Sequence, residues 1–230
     1  MSEFFTSSVF FGVFISLLSY IIGTALKKQF KLAIFNPLLI AIILTTLLLL
    51  LLHIDYDTYY NGAKYINFLL TPATVCLAVP LYEQLELLKK NFVAVIVGIA
   101  TGVCVSLSSV LLLSYLFSLD HDKYVTLLPK SITTAIGIGI SDELGGYISL
   151  TVAVIIITGI VGNVCAEGIC RIFKITDPIA KGVAIGCSSH ALGTTKAIEM
   201  GEIEGAMSSL SIVVSGILTV IIAPLFASWL

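Results

Sequence analysis

The sequence predicts an all-α polytopic membrane protein, with about six full transmembrane helices and two or three broken or re-entrant segments among them. Two observations carry that class. Of the 230 residues, 58% are hydrophobic and only 11% are charged, and the mean hydropathy is +1.08; a soluble domain carries about a quarter charged residues. The 12 Lys and Arg and the 14 Asp and Glu also all fall outside six uncharged runs, which begin at residues 4, 32, 65, 91, 144 and 205. Each run is close to the roughly 20 apolar residues that a spanning helix needs. A soluble enzyme and a secreted disulfide scaffold are excluded on this ground. A nucleic-acid partner is excluded too, because the net charge is −2 and no basic patch is present to meet a phosphate backbone. The five cysteines (Cys76, Cys104, Cys165, Cys170 and Cys187) show no metal or CxxC spacing and read as small buried hydrophobes. No metal and no cofactor are expected.

The chain reads as one membrane domain over 1–230, with spans at 4–26, 32–52, 65–88, 91–119, 147–168 and 206–229. The first run begins at Phe4 without a basic leader or a small-residue cleavage site, so it is expected to be a retained span. Lys27, Lys28 and Lys31 follow at once, and the positive-inside rule assigns them to the cytoplasm and the N-terminus to the outside. The second span, opened by Pro37, is almost pure Leu and Ile and suits contact with lipid or a scaffold neighbour. Asp55, Asp57, Tyr56, Tyr59 and Tyr60 then form an acidic, aromatic loop fit for the outer interface. Lys89 and Lys90 before the fourth span, and Arg171 and Lys174 after the fifth, mark cytoplasmic ends.

Three segments do not read as continuous helices. In 70–82, Pro72 and Pro80 each remove a backbone donor and crowd the preceding turn. In 124–146, Pro129-Lys130-Ser131-Ile132-Thr133-Thr134 is followed by Gly137, Gly139, Asp142-Glu143 and Gly145-Gly146, which is too polar for lipid and too apolar for a loop. The stretch 182–200, opened by the helix-start pair Asp177-Pro178, carries Ser188-Ser189-His190 and Gly193-Thr194-Thr195-Lys196. Non-helical backbone at membrane depth is tolerated only inside protein or beside a cavity. An internal repeat is also visible. Leu69-Leu70-Thr71-Pro72, Glu83 and Val93–Ile96 recur as Leu127-Leu128-Pro129, Asp142/Glu143 and Val152–Ile155, at offsets of 57 to 60. The sequence leaves open whether the repeat is inverted or parallel. Interrupted helices in corresponding repeats are the best sequence pointer to a transport site.

The chemistry follows from the breaks. A helix that starts inside the bilayer has unbonded N–H groups and a partial positive charge at its tip, and a carboxylate fits that tip. The segments after Pro72, Pro129 and Gly193 would each present such a tip, Thr74, Ser131, Thr133, Thr134, Ser189, Thr194 and Thr195 would add hydroxyls, and Lys130, Lys196 and His190 would add charge. The bland readings are hydroxyls back-bonded to their own helix, lysines reaching for the interface and a core histidine on a carbonyl. Asp142, Glu143 and Glu199 are candidates for coupling to H⁺ or Na⁺; the bland readings are an interfacial turn for Asp142 and Glu143 and, for Glu199, an ion pair with Lys196 on a solvated face. No GxxxxGK[ST] or HExxH motif occurs, and Ser188-Ser189-His190 are adjacent rather than facing across helices, so no enzyme activity is expected.

These strings resemble a known family. Pro72-Ala73-Thr74 with Pro80-Leu81-Tyr82, then Pro129–Thr134 with Ser141 and Gly145-Gly146, then Ser189-His190-Ala191-Leu192-Gly193-Thr194-Thr195-Lys196-Ala197 with Glu199, Gly201-Glu202, Glu204-Gly205-Ala206 and Ser208-Ser209 are similar to the signatures of the LrgB/CidB family of bacterial membrane proteins. Ala135-Ile136-Gly137 departs from it, standing where a second Pro and a Met-containing stretch are common. The resemblance covers essentially the whole chain. It implies a multi-pass protein of the bacterial inner (plasma) membrane, acting with a small LrgA/CidA-type partner and expected as a homodimer. It implies two functions: antiholin- or holin-like control of murein hydrolase activity and lysis, or, as in a plastid relative that moves glycolate and glycerate, transport of small monocarboxylates such as pyruvate or glycolate. The interrupted helices favour transport.

Overall fold

The computed structural model describes residues 10–30, 35, 37–69, 72, 75–76 and 78–230. Two compact units make up the chain, Met1–Cys76 and Leu77–Leu230. It is an all-α membrane protein, and among the described residues four helices are long and apolar enough to cross a bilayer: Phe11–Phe30, Phe92–Leu116, Ile148–Ile172 and Glu202–Ala227.

In the first unit, α1 (Phe11–Phe30) packs against α2 (Pro37–Leu51) and α3 (Tyr56–Phe68). At 15 residues, α2 is shorter than the expected span at 32–52; residues 31–34 and 36 lie outside the described set. Ser16 Oγ lies 2.7 Å from Tyr59 Oη, joining α1 to α3. Asp55 caps α3 by accepting from Thr58 Oγ1 at 2.7 Å and Thr58 N at 3.0 Å, and these two bonds hold its carboxyl below the usual range.

The second unit opens with two short helices, α4 (Ala78–Glu83) and α5 (Leu85–Lys90), so the stretch expected as one span at 65–88 is divided among α3, α4 and α5. Residues 70, 71, 73, 74 and 77 of the expected break at 70–82, Thr74 among them, lie outside the described residues. Then come α6 (Phe92–Leu116), α7 (His121–Leu127), α8 (Thr134–Glu143), α9 (Ile148–Ile172), α10 (Pro178–Met200) and α11 (Glu202–Ala227). Val95, Ile99, Val103, Leu107 and Val110 recur at helical spacing and turn one face of α6 into the core.

α10 is a hairpin. His190 has φ 42° and ψ −141°, a positive φ outside the helical region, and the chain reverses there. Ile185, Ala197, Ala166 and Met200 consequently share one cluster; in a straight helix Ile185 and Ala197 would stand about 18 Å apart. α11 lies beside both arms. Gly182 and Gly186 face Glu204 and Ser208, with the first arm running parallel to α11, and Thr194 and Ile198 meet Ser208 and Gly205, with the second arm running back. The approach is close enough that a Cβ on Gly186 would lie 2.5 Å from the Ser208 carbonyl oxygen. The tip at His190 is level with about the tenth residue of α11, roughly 15 Å deep and half of a ~30 Å hydrocarbon core.

The segment α7–α8 is a second hairpin. Its tip is two successive turns in which Lys130 N donates to Leu127 O (3.2 Å) and Ile132 N to Pro129 O (3.3 Å). Its arms meet again at their base, where Thr151 Oγ1 lies 2.7 Å from Ser141 Oγ and 3.1 Å from Thr126 O. The two hairpins enter from opposite faces. The base of α10 is tied to the N-terminal end of α11 by Lys181 and Glu204 (3.7 Å), and the base of α7–α8 is tied to its C-terminal end, where Tyr124 Oη donates to Phe226 O (2.8 Å).

The described repeat is therefore inverted. It pairs α6 plus hairpin α7–α8 with α9 plus hairpin α10, at offsets of 56 (92 to 148) and 57 (121 to 178). α6 and α9 have 25 residues each and end alike, with Ser118 (φ 50°) and Lys174 (φ 53°) closing the helix while Leu119 N donates to Ser114 O (2.9 Å) and Ile175 N to Cys170 O (2.8 Å). Asp120 and Asp177 then open the hairpins as N-caps. Lys89, Lys90, Arg171, Lys174 and Lys181 lie at the α10 end, with Glu167, Glu199 and Glu204 beside them, and Lys123 pairs with Asp120 at the other end, near Asp142 and Glu143; the excess of Lys and Arg at the α10 end is the pattern that the positive-inside rule links to a cytoplasmic face.

Candidate functional site

A cavity of about 720 Å³ lies between α6, the first arm of α10 and the tip of α7–α8. Its walls are two helix stripes. Asn91, Ala94, Gly98, Thr101, Gly102, Val105 and Ser106 line it from α6 and its N-cap, and Asp177, Ala180, Val183, Ala184, Cys187 and Ser188 from α10. Small residues on both stripes hold the helices close yet leave room: Gly98 faces Val183 and Gly102 faces Cys187. The mouth is at Asn91 and Asp177, at the basic end of the unit. The blind end is at Ser106, about 22 Å further along α6.

Lys130 and Ser131 close that blind end. Lys130 Nζ donates to Ser131 Oγ at 3.0 Å and to Ser106 Oγ at 3.3 Å, and the two hydroxyls lie 3.1 Å apart. No carboxylate among the described residues pairs with Lys130. A lone ion at such depth costs several kcal/mol that an opposite charge in good geometry offsets. The turn that places Lys130 there follows from Pro129, which cannot continue α7, and from Thr133, whose extended backbone (φ −64°, ψ 145°) starts α8 afresh at mid-depth. The N-terminus of α8 therefore adds its partial positive charge to the same region.

The structure thus brings together Lys130 and Ser131 of the expected site residues. The others lie elsewhere. Thr133 and Thr134 are half-buried at the start of α8, outside the cavity lining. Ser189 turns to Ser188 (3.0 Å) and packs against Gly162 of α9. His190 is buried, with Nε2 3.0 Å from Ile155 O; a carbonyl only accepts, so Nε2 carries the proton. Gly193 packs against Ile185 and Ser189 in the second arm, and the break expected after it falls instead at His190. Thr194 Oγ1 lies 2.9 Å from His190 O and 2.7 Å from Ser208 Oγ. Thr195 donates to Leu192 O (2.8 Å) and accepts from Asn163 Nδ2 (2.9 Å). Lys196 pairs with Glu167 (2.9 Å) and Glu199 (3.2 Å) in a charged group at the base of α10. Asp142 and Glu143 are exposed at the end of α8.

Ser106, Thr101, Cys187 and Ser188 line the cavity and were not among the expected site residues. The signal for Ser106 was present as a stripe of small and polar residues (Gly98, Thr101/Gly102, Ser106) on an otherwise apolar helix. Asp177 stands at the mouth and also caps α10, accepting from Ala180 N at 2.9 Å.

Opposed hairpins beside a lysine-bearing cavity define a class: an all-α polytopic membrane protein with broken helices. The particular family is shown by comparison. The model of the LrgB-like family matches residues 16–229, and the chain belongs to that family. It is 38% identical over 222 residues to the Antiholin-like protein LrgB of Bacillus subtilis (strain 168), covering 96% of each chain, and 36% identical over the same length and shares to the Antiholin-like protein LrgB of Bacillus cereus (strain B4264). No solved structure matches the chain.

Proposed function

We propose that this chain acts in the antiholin-like class named by its relatives, and that its molecular act is the passage of a small monocarboxylate through the Lys130 cavity. The relatives' names, antiholin-like, support the first part more directly than the second; control of murein hydrolase activity and lysis, as an interaction or pore-control protein, is what the family resemblance implies. The geometry supports the second part. The single observation that carries it is Lys130, held by Ser106 and Ser131 alone at the blind end of a cavity between membrane helices. That arrangement offers one cation, two hydroxyls and a helix N-terminus to an anion, and apolar walls to the rest of the molecule. Lysis control then follows from altered carboxylate flux. The protein resides in the bacterial cell membrane, works with a small LrgA/CidA-type partner, forms a homodimer, draws on an H⁺ or Na⁺ gradient and catalyses no covalent reaction.

Vesicles that contain the purified protein, with and without the small partner, test this reading. Labelled pyruvate or glycolate exchanges across them if the chain carries the anion. Flux only with the partner makes it a two-component carrier. No flux under either condition leaves the lysis-regulator reading alone.

A further inference from the structure

The base of α10 carries a second pocket, of about 680 Å³, that the anion reading does not use. It opens where the end of α9, the bases of both α10 arms and the first turn of α11 converge, on the face that the positive-inside rule links to the cytoplasm. Its charges do not cancel. Lys196 Nζ is shared by Glu167 Oε1 (2.9 Å) and Glu199 Oε2 (3.2 Å), and Lys181 Nζ lies 3.7 Å from Glu204 Oε1. Arg171 and Lys174 line the same pocket, and no carboxylate among the described residues pairs with either. Four cations thus meet three carboxylates, which leaves one positive charge in excess.

Glu204 is the converse case. It lines the pocket yet is only 8% exposed, and its one charged partner among the described residues, Lys181, lies beyond hydrogen-bond length. A buried carboxylate short of donors costs free energy that a donor on a ligand recovers. The flank of the pocket is apolar. Ile169, Ile172 and Phe173, at the end of α9 that carries Arg171, are exposed.

We propose that this pocket holds the headgroup of an anionic phospholipid of the cytoplasmic leaflet. The phosphodiester sits between Arg171 and Lys174 and balances the excess charge, a headgroup hydroxyl donates to Glu204, and the acyl chains run along Ile169, Ile172 and Phe173. Basic pockets between helices at this face take such headgroups, and a guanidinium meets phosphate oxygens through two parallel donors. Phosphatidylglycerol has all three features: one negative charge, free hydroxyls and chains. Bound there, it ties α9 to the base of the α10 hairpin. The inference is independent of the Lys130 cavity.

Native mass spectrometry of the purified protein, titrated with lipid in detergent, tests it. One phosphatidylglycerol binds ahead of phosphatidylcholine with the same chains. Arg171→Gln with Lys174→Gln weakens that binding about thirtyfold, the loss expected for two basic contacts to a headgroup. Lys89→Gln with Lys90→Gln removes equal charge outside the pocket and leaves affinity within about twofold, since distant exposed charges are screened. Phosphatidylmethanol, of the same charge but without a hydroxyl, binds about tenfold more weakly because Glu204 has no donor. Arg171→Gln alone, with a loss of about fivefold, covers a failure of the double variant to fold. Equal losses in the two double variants mean a general attraction of basic helix ends to lipid and overturn the site. Equal affinity for phosphatidylcholine or phosphatidylmethanol, or tighter binding of phosphatidylethanolamine, overturns it as well. Glycerol 1-phosphate bound as tightly as phosphatidylglycerol would assign the pocket to a soluble phosphate ester and overturn the lipid.

Discussion

The two hairpins share an architecture and differ at the tip. Each follows a 25-residue helix, opens on an Asp N-cap and reverses near mid-bilayer. The tip of α7–α8 turns through Pro129 in ordinary backbone and sets a lysine against two hydroxyls at the end of the cavity. The tip of α10 turns through a non-glycine residue at φ 42°, and its side chain is fixed on the Ile155 carbonyl. Such backbone persists only where the surroundings over-determine it, and here Gly159 supplies the room, since a Cβ there would lie 2.6 Å from His190 Cε1. In the proposed reading one tip meets a ligand, and the other holds a shape. A polar residue at a helix break is thus a site only where its partners leave capacity unused.

Substitutions can break this comparison, and Lys130→Met has the largest expected effect. Losing the one cation at the blind end lowers pyruvate affinity about a hundredfold, in line with the loss of one partner of a buried charge pair, with the elution profile of the folded protein unchanged. Lys130→Arg retains part of the binding. Gly186→Ala comes next. Its new Cβ meets the backbone of α11, which cannot step aside cheaply, and stability falls by about 1–3 kcal/mol, read as a lower melting temperature in detergent. His190→Ala follows. It removes one buried hydrogen bond, about 1–3 kcal/mol, and leaves anion affinity within about twofold of the parent; a large loss of affinity with unchanged stability would exchange the roles of the two tips.

The smallest effect is at the outer base. Lys123 Nζ lies 2.7 Å from Asp120 Oδ2, and this hydrogen bond and charge hold the Asp120 carboxyl below its ordinary value and the Lys123 amine above its own. The sign follows: the carboxyl contributes stability above its unfolded value near 3.8, and this is lost as pH falls through the lower folded value. Lys123→Ala returns the Asp120 titration toward 3.8 in a carbon-detected NMR experiment, with no measurable change in melting temperature because both groups are exposed.

The breaks were legible in the sequence because Pro129 and the Asp177-Pro178 pair leave local signatures, and the run of hydroxyls after Ser188 is out of place in a lipid-facing helix. The partners of those residues were not legible. Lys196 reads as a site cation until Glu167, 29 positions earlier, is found 2.9 Å away. His190 reads as a charge at mid-membrane until Ile155 supplies a carbonyl. Ser106 lies on a legible stripe of small and polar residues, but a hydroxyl in an apolar helix usually bonds its own backbone, as Thr101 does with Val97 O at 2.8 Å, so the stripe alone does not mark it. The inversion was also hidden. It depends on which end of α11 each hairpin base touches, and helical periodicity carries no such information.

The most direct test of the central claim uses Cys187, which lines the cavity near Ser188. In purified protein with Cys187 as the only remaining cysteine, a small methanethiosulfonate reagent should modify it several-fold more slowly in saturating pyruvate than in chloride, and Lys130→Met should remove that protection. Equal rates with and without pyruvate in protein that retains Lys130 would mean that no anion occupies the cavity.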